Sequence, residues 1–335
     1  MSADFPKRVI HGGLGKRQQE KTRVKVLDFS ASVNPYPPAV RWNCDTAELA
    51  AYPDDTYCAL KERIGSVFSR NPEEICVGNG SIEIIRAFCS VALGRTARSR
   101  KFFIQPPTFG EYELSARLAG GTKTAKPEKA GVRFACNPNN PDGGLLQRGD
   151  LIQMLDIAKR QKGLLFVDEA FAGLADRNES LASHRDPSLF ILHSLTKSFA
   201  VPGLRIGFGF GDADLIEKIE TSRSPWCVNA YAEAFAMEAL LHIEDLAVSR
   251  EKIRIERSKL VSGLADIGMI CRPSCTNFIL VETGHDVSAL CEDLARKNVL
   301  VRDCTSFGLP TCIRVAVMTR DENRQLLEAL ASCVH

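Results

Sequence analysis

The chain has 335 residues, 44% hydrophobic and 25% charged, with a formal net charge of +2. Such a composition is that of a globular protein of one large or two medium domains. With no basic tract and no apolar run near the ~20 residues of a membrane span, it argues against a nucleic-acid or membrane partner.

The twelve cysteines never form a Cys-x-x-Cys pair. Cys271 and Cys275 are the nearest, with no second pair at zinc-site spacing, so no metal site is expected. Several, such as Cys76, lie in apolar runs where cysteine acts as a small hydrophobe. Scattered reduced thiols and an N-terminus (Met1–Pro6) without a signal peptide's apolar stretch point to the cytoplasm.

Residues 1–33 read as an N-terminal arm, polar over 15–25 and ending in a short strand over Val24–Phe29. Asn34-Pro35-Tyr36-Pro37-Pro38 then gives a rigid extended segment, because each proline fixes its own φ and restricts its predecessor. Residues 34–222 form a large domain. Its expected strands are Ile75–Val77, Phe102–Gln105, Val132–Cys136, Leu164–Asp168, Phe190–His193 and Arg205–Phe210, with helices near 59–69, 81–93, 110–119 and 150–162. Strands apolar on both faces, alternating with helical patterns, imply an α/β fold with a mostly parallel sheet covered on both sides. Residues 223–335 form a smaller α+β domain. It has a long charged helix over 243–265, a strand at Asn277–Val281, a helix over 286–297, strands at Val299–Arg302 and Cys312–Val317, and a helix from about 321.

The chemistry centres on Ser194-Leu195-Thr196-Lys197-Ser198. Lys197 follows a strand at the sheet edge where ligands bind, between small hydroxyl residues and eight positions before Arg205. A lysine so placed can condense with an aldehyde cofactor, while hydroxyls and a guanidinium hold a phosphate; together they suggest pyridoxal phosphate. Asp168 ends the apolar run from Leu164 and fits either a helix cap or a carboxylate under a pyridine nitrogen, with Glu169 turned away. Gly78-Asn79-Gly80-Ser81 precedes a helix, where free backbone N–H groups attract an anion. Asn137-Pro138-Asn139-Asn140-Pro141 is richer in amides than a plain turn requires. Phe109 or Tyr112 could stack on a flat ring or simply fill the core. Arg302 and Arg314 sit between apolar neighbours on strands, where a guanidinium either pairs internally or faces a ligand anion. His11-Gly12-Gly13 gives the arm a backbone that can approach an anion closely.

These residues, in the order Tyr52-Pro53-Asp54, Gly80-Ser81, Phe109, Asn137 to Pro141, Asp168-Glu169-Ala170, Ser194-x-x-Lys197 and Arg205, resemble fold-type I pyridoxal phosphate enzymes. The resemblance spans nearly the whole chain and is greatest to the histidinol-phosphate aminotransferase branch. It implies that Lys197 is the Schiff-base lysine and Asp168 the partner of the pyridinium. Asn140 would bond the phenolate oxygen and Phe109 stack on the ring. Gly80, Ser81, Ser194 and Arg205 would hold the phosphate, with Thr196 beside the lysine. Tyr52 would reach the cofactor phosphate of a second copy, so the resemblance implies a homodimer with shared sites. The substrate would meet His11, Gly12, Asn34, Asn140, Arg302 and Arg314.

Within that branch, His11-Gly12-Gly13, the run from Leu27 to Pro35, and Phe171 in Asp-Glu-Ala-Phe are similar to the threonine-phosphate decarboxylases of cobalamin biosynthesis. That similarity implies a small phosphorylated amino acid as substrate and decarboxylation as the reaction. Histidinol-phosphate transamination is the alternative, and a non-catalytic relative binding a regulator a third reading. Asp142 departs from the Thr or Ser of Asn-Pro-Thr-Gly and places an extra negative charge nearby.

Overall fold

The computed structural model describes residues 5–45, 49–95 and 97–333; Met1 to Asp4, read above as the start of the arm, lie outside them. The arm carries a helix, Gly15–Thr22, where the sequence pattern showed only polarity, and ends in strand β1 (Leu27–Asp28). β1 is shorter than the six residues expected, because its partner is also only two residues long and Val24 is 50% exposed.

Seven strands build the main sheet: β2 (Ile75–Gly78), β3 (Lys101–Ile104), β4 (Thr122–Lys123), β5 (Val132–Cys136), β6 (Leu164–Asp168), β7 (Leu189–Ser194) and β8 (Gly207–Phe210). Their order is β2-β8-β7-β6-β5-β3-β4. All neighbours are parallel except β8, which runs against both β2 and β7. The fold is thus the α/β arrangement expected. Side chains alternate between its two faces, as a pleated strand requires. Leu165, Val167 and Ile191 enter one core, and Phe166, Phe190 and Leu192 the other. Helices Ser81–Leu93, Glu111–Leu118 and Ala213–Ser222 cover the second face, with Ile84, Phe88, Tyr112 and Ile216 pointing inward. Helices Cys58–Phe68 and Arg148–Arg160 cover the first.

The C-terminal part adds helices Ala230–Ala239, Leu246–Asp266, Ser288–Arg296 and Arg320–Ala331. Its strands are β9 (Ile270–Cys271), β10 (Phe278–Glu282), β11 (Val299–Leu300), β12 (Arg302–Asp303) and β13 (Cys312–Ala316). The small sheet is antiparallel, in the order β12-β13-β10-β9. The strand expected over Val299–Arg302 is broken at Val301, because β11 pairs with β1 of the arm while β12 pairs with β13. The arm is therefore stitched to the C-terminal sheets before the chain enters the large sheet.

The antiparallel β8 decides where the site can form. Gly207 pairs with both Gly78 and Ser194, so the start of β8 lies beside the carboxyl ends of β2 and β7. Arg205 precedes it with φ 63°; that left-handed turn is why the strand begins at Gly207 rather than Arg205. Segments after β2, β3, β5, β6 and β7, and the one before β8, thus converge on one edge.

Candidate active site

A cavity of about 440 Å³ opens at that edge between the large sheet, the small sheet and the arm. Its wall includes Ser81, Phe109, Asn140, Asp168, Ser194, Thr196, Lys197 and Arg205 from the large sheet's loops, His11 and Gly12 from the arm, and Arg302 and Arg314 from the small sheet. Twelve of the fifteen residues singled out in the sequence therefore share one space.

Asp168 lies on the floor, 4% exposed. It accepts hydrogen bonds from Tyr112 Oη (2.6 Å) and the Ala170 amide (2.9 Å), and has no cationic partner within salt-bridge distance among the described residues. Burial raises its pKa, and the Tyr112 hydrogen bond opposes the rise. A buried carboxylate with an open side of this kind is completed by a ligand cation. Glu169 faces the opposite way, accepting from the Leu181 amide at 2.7 Å with His193 at 3.2 Å.

Lys197 lies in a four-residue helix, Leu195–Ser198, capped by Ser194 Oγ accepting from the Thr196 amide. Its amine has no hydrogen-bond or ion-pair partner among the described residues, and its nitrogen is 6.0 Å from the centre of the Phe171 ring. Burial first, then the charges of Arg314 and Arg205, push its pKa down to about 8, against an opposing pull from Asp28. Such an amine is a usable nucleophile and proton carrier near neutrality.

One end of the cavity suits a phosphate. Helix Ser81–Leu93 starts at Gly80 (φ 76°) with no side-chain cap, which leaves first-turn N–H groups open. Gly80 does not itself line the cavity; it lies against Arg205, whose guanidinium would collide with any Cβ placed there. Arg205 also has no carboxylate partner among the described residues. Phe109 forms a side wall, its ring 5.9 Å from that of His11. The donors, the orphaned lysine and the unpaired buried acid fit pyridoxal phosphate.

Asn140 Oδ1 accepts from Arg314 Nη1, which leaves its amide N–H groups to donate. Asn34 does not open onto the cavity. It is 2% exposed, its side chain donates to Ser198 O (2.8 Å) and its backbone N–H to Lys197 O (2.9 Å). It braces the lysine helix from behind. Tyr52 lies away from the cavity, 81% exposed, against Trp226 with ring centres 4.6 Å apart. Asp142 is absorbed into its own turn, accepting from Asn139 Nδ2 (3.0 Å) and the Gly144 amide (2.9 Å).

Sequence reasoning singled out neither Asp28 and Ser30 in the wall nor Glu111, which lies outside it against His11. Asp28 lines the cavity and accepts from the Gly15 amide (2.8 Å) and the Ser30 amide (3.0 Å). Ser30 Oγ in turn accepts from the Gly13 amide (2.8 Å). Glu111, 3% exposed, contacts His11 at 2.8 Å. Asp28 and Ser30 lie in the run from Leu27 to Pro35 that carries the resemblance, but nothing local in that run marks either as facing the cavity. The twelve thiols are free, and no metal-ligating cluster occurs among the described residues. No helix there is long and apolar enough to cross a membrane.

The sequence pattern of the aminotransferase class I and II family matches residues 25–330. The chain belongs to that family. It is accordingly a pyridoxal-phosphate-dependent enzyme of the fold-type I branch. One relative, a protein of Caldanaerobacter subterraneus provisionally named threonine-phosphate decarboxylase, is 32% identical over 328 residues, covering 90% of this chain and 88% of its own. A histidinol-phosphate aminotransferase of Symbiobacterium thermophilum is 30% identical over 306 residues, covering 86% and 84%. The histidinol-phosphate aminotransferase of Sinorhizobium meliloti, solved in complex with pyridoxal-5'-phosphate, shares the fold. Its TM-score is 0.83 at 19% identity, over 99% of this chain and 95% of that one.

Proposed function

We propose that this family member decarboxylates L-threonine O-3-phosphate to (R)-1-amino-2-propanol O-2-phosphate, for cobalamin biosynthesis in the cytoplasm. The observation that carries the reading is the arginine pair. Arg302 and Arg314 face each other directly across β12 and β13, are each 6% exposed, and both line the cavity. Neither has a carboxylate partner among the described residues. Like charges opposed on a sheet destabilise it, and burial lowers the pKa of both, Arg314 to about 10. Two such guanidiniums suit a substrate with two anionic groups, and threonine phosphate has a carboxylate and a phosphate.

Bound pyridoxal phosphate supplies an electron sink for the pair left behind when the bond to CO2 breaks. Asp168 would keep the ring nitrogen protonated, Phe109 would pack against the ring, and Asn140 would donate to its phenolate oxygen. Ser81, Ser194, Thr196 and Arg205, with the helix start at Gly80, would hold the cofactor phosphate. Lys197 would be the amine that holds the cofactor and, once free, the group placed to carry a proton to the substrate's α-carbon. Arg302, Arg314, His11 and Gly12 would hold the substrate's anions and so set which bond to the α-carbon is presented for cleavage. The chain is organised as arm (1–33), cofactor domain (34–222) and small domain (223–335). It works as a homodimer in which the exposed Tyr52 reaches the second copy's site.

The test is product analysis with L-threonine O-3-phosphate: CO2 and the amino alcohol phosphate should appear without any 2-oxo acid. Amino transfer that requires a 2-oxo acid, with no CO2, overturns the proposal. Histidinol-phosphate transamination is the second reading, favoured by the 30% identical relative of that name. Histidinol phosphate lacks the carboxylate, so on that reading the carboxylate for the second arginine would come from the 2-oxo acid partner.

A further inference from the structure

We propose that Glu111 is a positioning residue that holds His11 over the cavity, so that the ring's second nitrogen meets the substrate's phosphate. This rests on reading the cavity as one for a phosphorylated amino acid.

Glu111 opens helix Glu111–Leu118, two residues after Phe109, and is almost wholly buried. A buried carboxylate must be neutralised. Arg86, from the neighbouring helix, does so at one oxygen, with Nη2 3.3 Å from Oε2. A purely structural acid would be complete with that. The other oxygen, Oε1, reaches instead to His11 Nε2 at 2.8 Å, linking the large domain to the arm.

The rest of the arm is anchored on the opposite wall. The Ile10 carbonyl accepts from Arg302 Nη2 (2.8 Å) and the Gly13 amide donates to Ser30 Oγ (2.8 Å). Gly12 packs so closely on Ser30 that a side chain there would collide with its carbonyl. The backbone of residues 10–13 is thus fixed without Glu111, and what Glu111 adds is the direction of the imidazole. A carboxylate bonded to one ring nitrogen sets how the other is presented. His11 Nδ1 has no partner among the described residues, and the ring lines the cavity beside Phe109. With Nε2 held on the carboxylate, Nδ1 is the ring nitrogen left to meet an anion in the cavity.

A double-mutant cycle on the holoenzyme tests this, using Glu111→Gln, His11→Ala and both together. The readouts are the dissociation constant of inorganic phosphate and the KM for L-threonine O-3-phosphate. Each single change should weaken phosphate binding about five- to tenfold, the range of one charge-assisted hydrogen bond in a solvated cleft. The double variant should be no weaker than His11→Ala. Glu111→Asp keeps the charge for Arg86 but falls short of His11, and should show the same loss. Effects that multiply in the double variant, or Glu111 variants that bind phosphate normally, overturn the proposal. Inorganic phosphate reports the coupling whatever reaction follows, so a failure of decarboxylation alone would refute the functional reading and leave this one standing.

Discussion

The depressed pKa of Lys197 has a measurable consequence in the apoprotein. Only the neutral amine can attack the aldehyde of pyridoxal phosphate. With a pKa of about 8, about one tenth of the molecules carry the neutral amine at pH 7, whereas an ordinary lysine at 10.5 would give about one in 3,000. Covalent uptake should therefore be about 300-fold faster at pH 7 than for an unshifted lysine. Its rate should rise tenfold per pH unit and level off above about 8. Stopped-flow absorbance of apoprotein mixed with cofactor, across pH 6 to 10, measures this directly.

Two variants should move the midpoint in opposite directions. Arg314→Met removes a cation that lowers the pKa, so the midpoint rises; Asp28→Asn removes the anion that raises it, so the midpoint falls. Lys197→Ala should take up no cofactor covalently at any pH. The linkage has a definite sign. Between about 8 and 10.5 the unfolded chain keeps a proton that the folded chain has released, so apoprotein stability increases with pH across that window. The lysine's whole contribution is on the order of 3 kcal/mol. A midpoint near the ordinary lysine value, unmoved by either variant, would refute the electrostatic account.

Tyr112→Phe removes the 2.6 Å hydrogen bond to Asp168 without changing the packing of the ring on Phe134. Hydrogen bonds to charged groups contribute roughly 1.5–3 kcal/mol. Turnover should drop roughly ten- to a hundredfold while the cofactor remains bound, and steady-state kinetics with unchanged kcat would reduce Tyr112 to core filling. Gly80→Ala places a Cβ against the Arg205 guanidinium at a left-handed φ, a conformation costing roughly 1–2 kcal/mol for a non-glycine residue. Cofactor titration of this variant should show about tenfold or greater loss of affinity, and wild-type affinity would mean that the Gly80–Arg205 contact has no part in holding phosphate.

Much of the large sheet was legible because its strands are short apolar runs and its helices carry one apolar face. Val132–Cys136, Leu164–Asp168 and helix Ser81–Leu93 fall where the pattern puts them. Helix Gly15–Thr22 was not legible, since GKRQQEKT offers no apolar stripe to read. Ala230–Ala239 buries one stripe, Ala232, Phe235, Ala236 and Ala239, but alanines recur on its other faces and leave that stripe little contrast. The break at Val301 depends on which strand the arm pairs with, a long-range fact that no local window contains. The site divides in the same way. Lys197, Asp168 and Arg205 follow or precede strands of one sheet, and strand ends are local features. Asn34 was misplaced because facing the cavity and bracing the lysine helix leave the same sequence signature. Asp28, Ser30 and Glu111 join the site only because the arm crosses the cavity, and that path is set by contacts with Arg302 and Ser30.

The choice of reaction lies in this second, less legible half. Lys197, Asp168 and the phosphate cup would serve any bond to the α-carbon, because each acts on the cofactor and not on the substrate's anions. Which bond stands perpendicular to the ring depends on where those anions are held. On the proposed reading they are held by the arm and the small sheet. Arg314 reaches the large domain through Asn140 and the arm through the Ser30 carbonyl at 3.0 Å, while Arg302 holds the Ile10 carbonyl. The two guanidiniums are thus oriented by the same segment that presents His11. A shift of the arm would move every substrate anchor together and leave the cofactor anchors in place. If the substrate's anions are held there, substitutions along the seam between arm, small sheet and helix Glu111–Leu118 should alter which product forms before they alter cofactor binding.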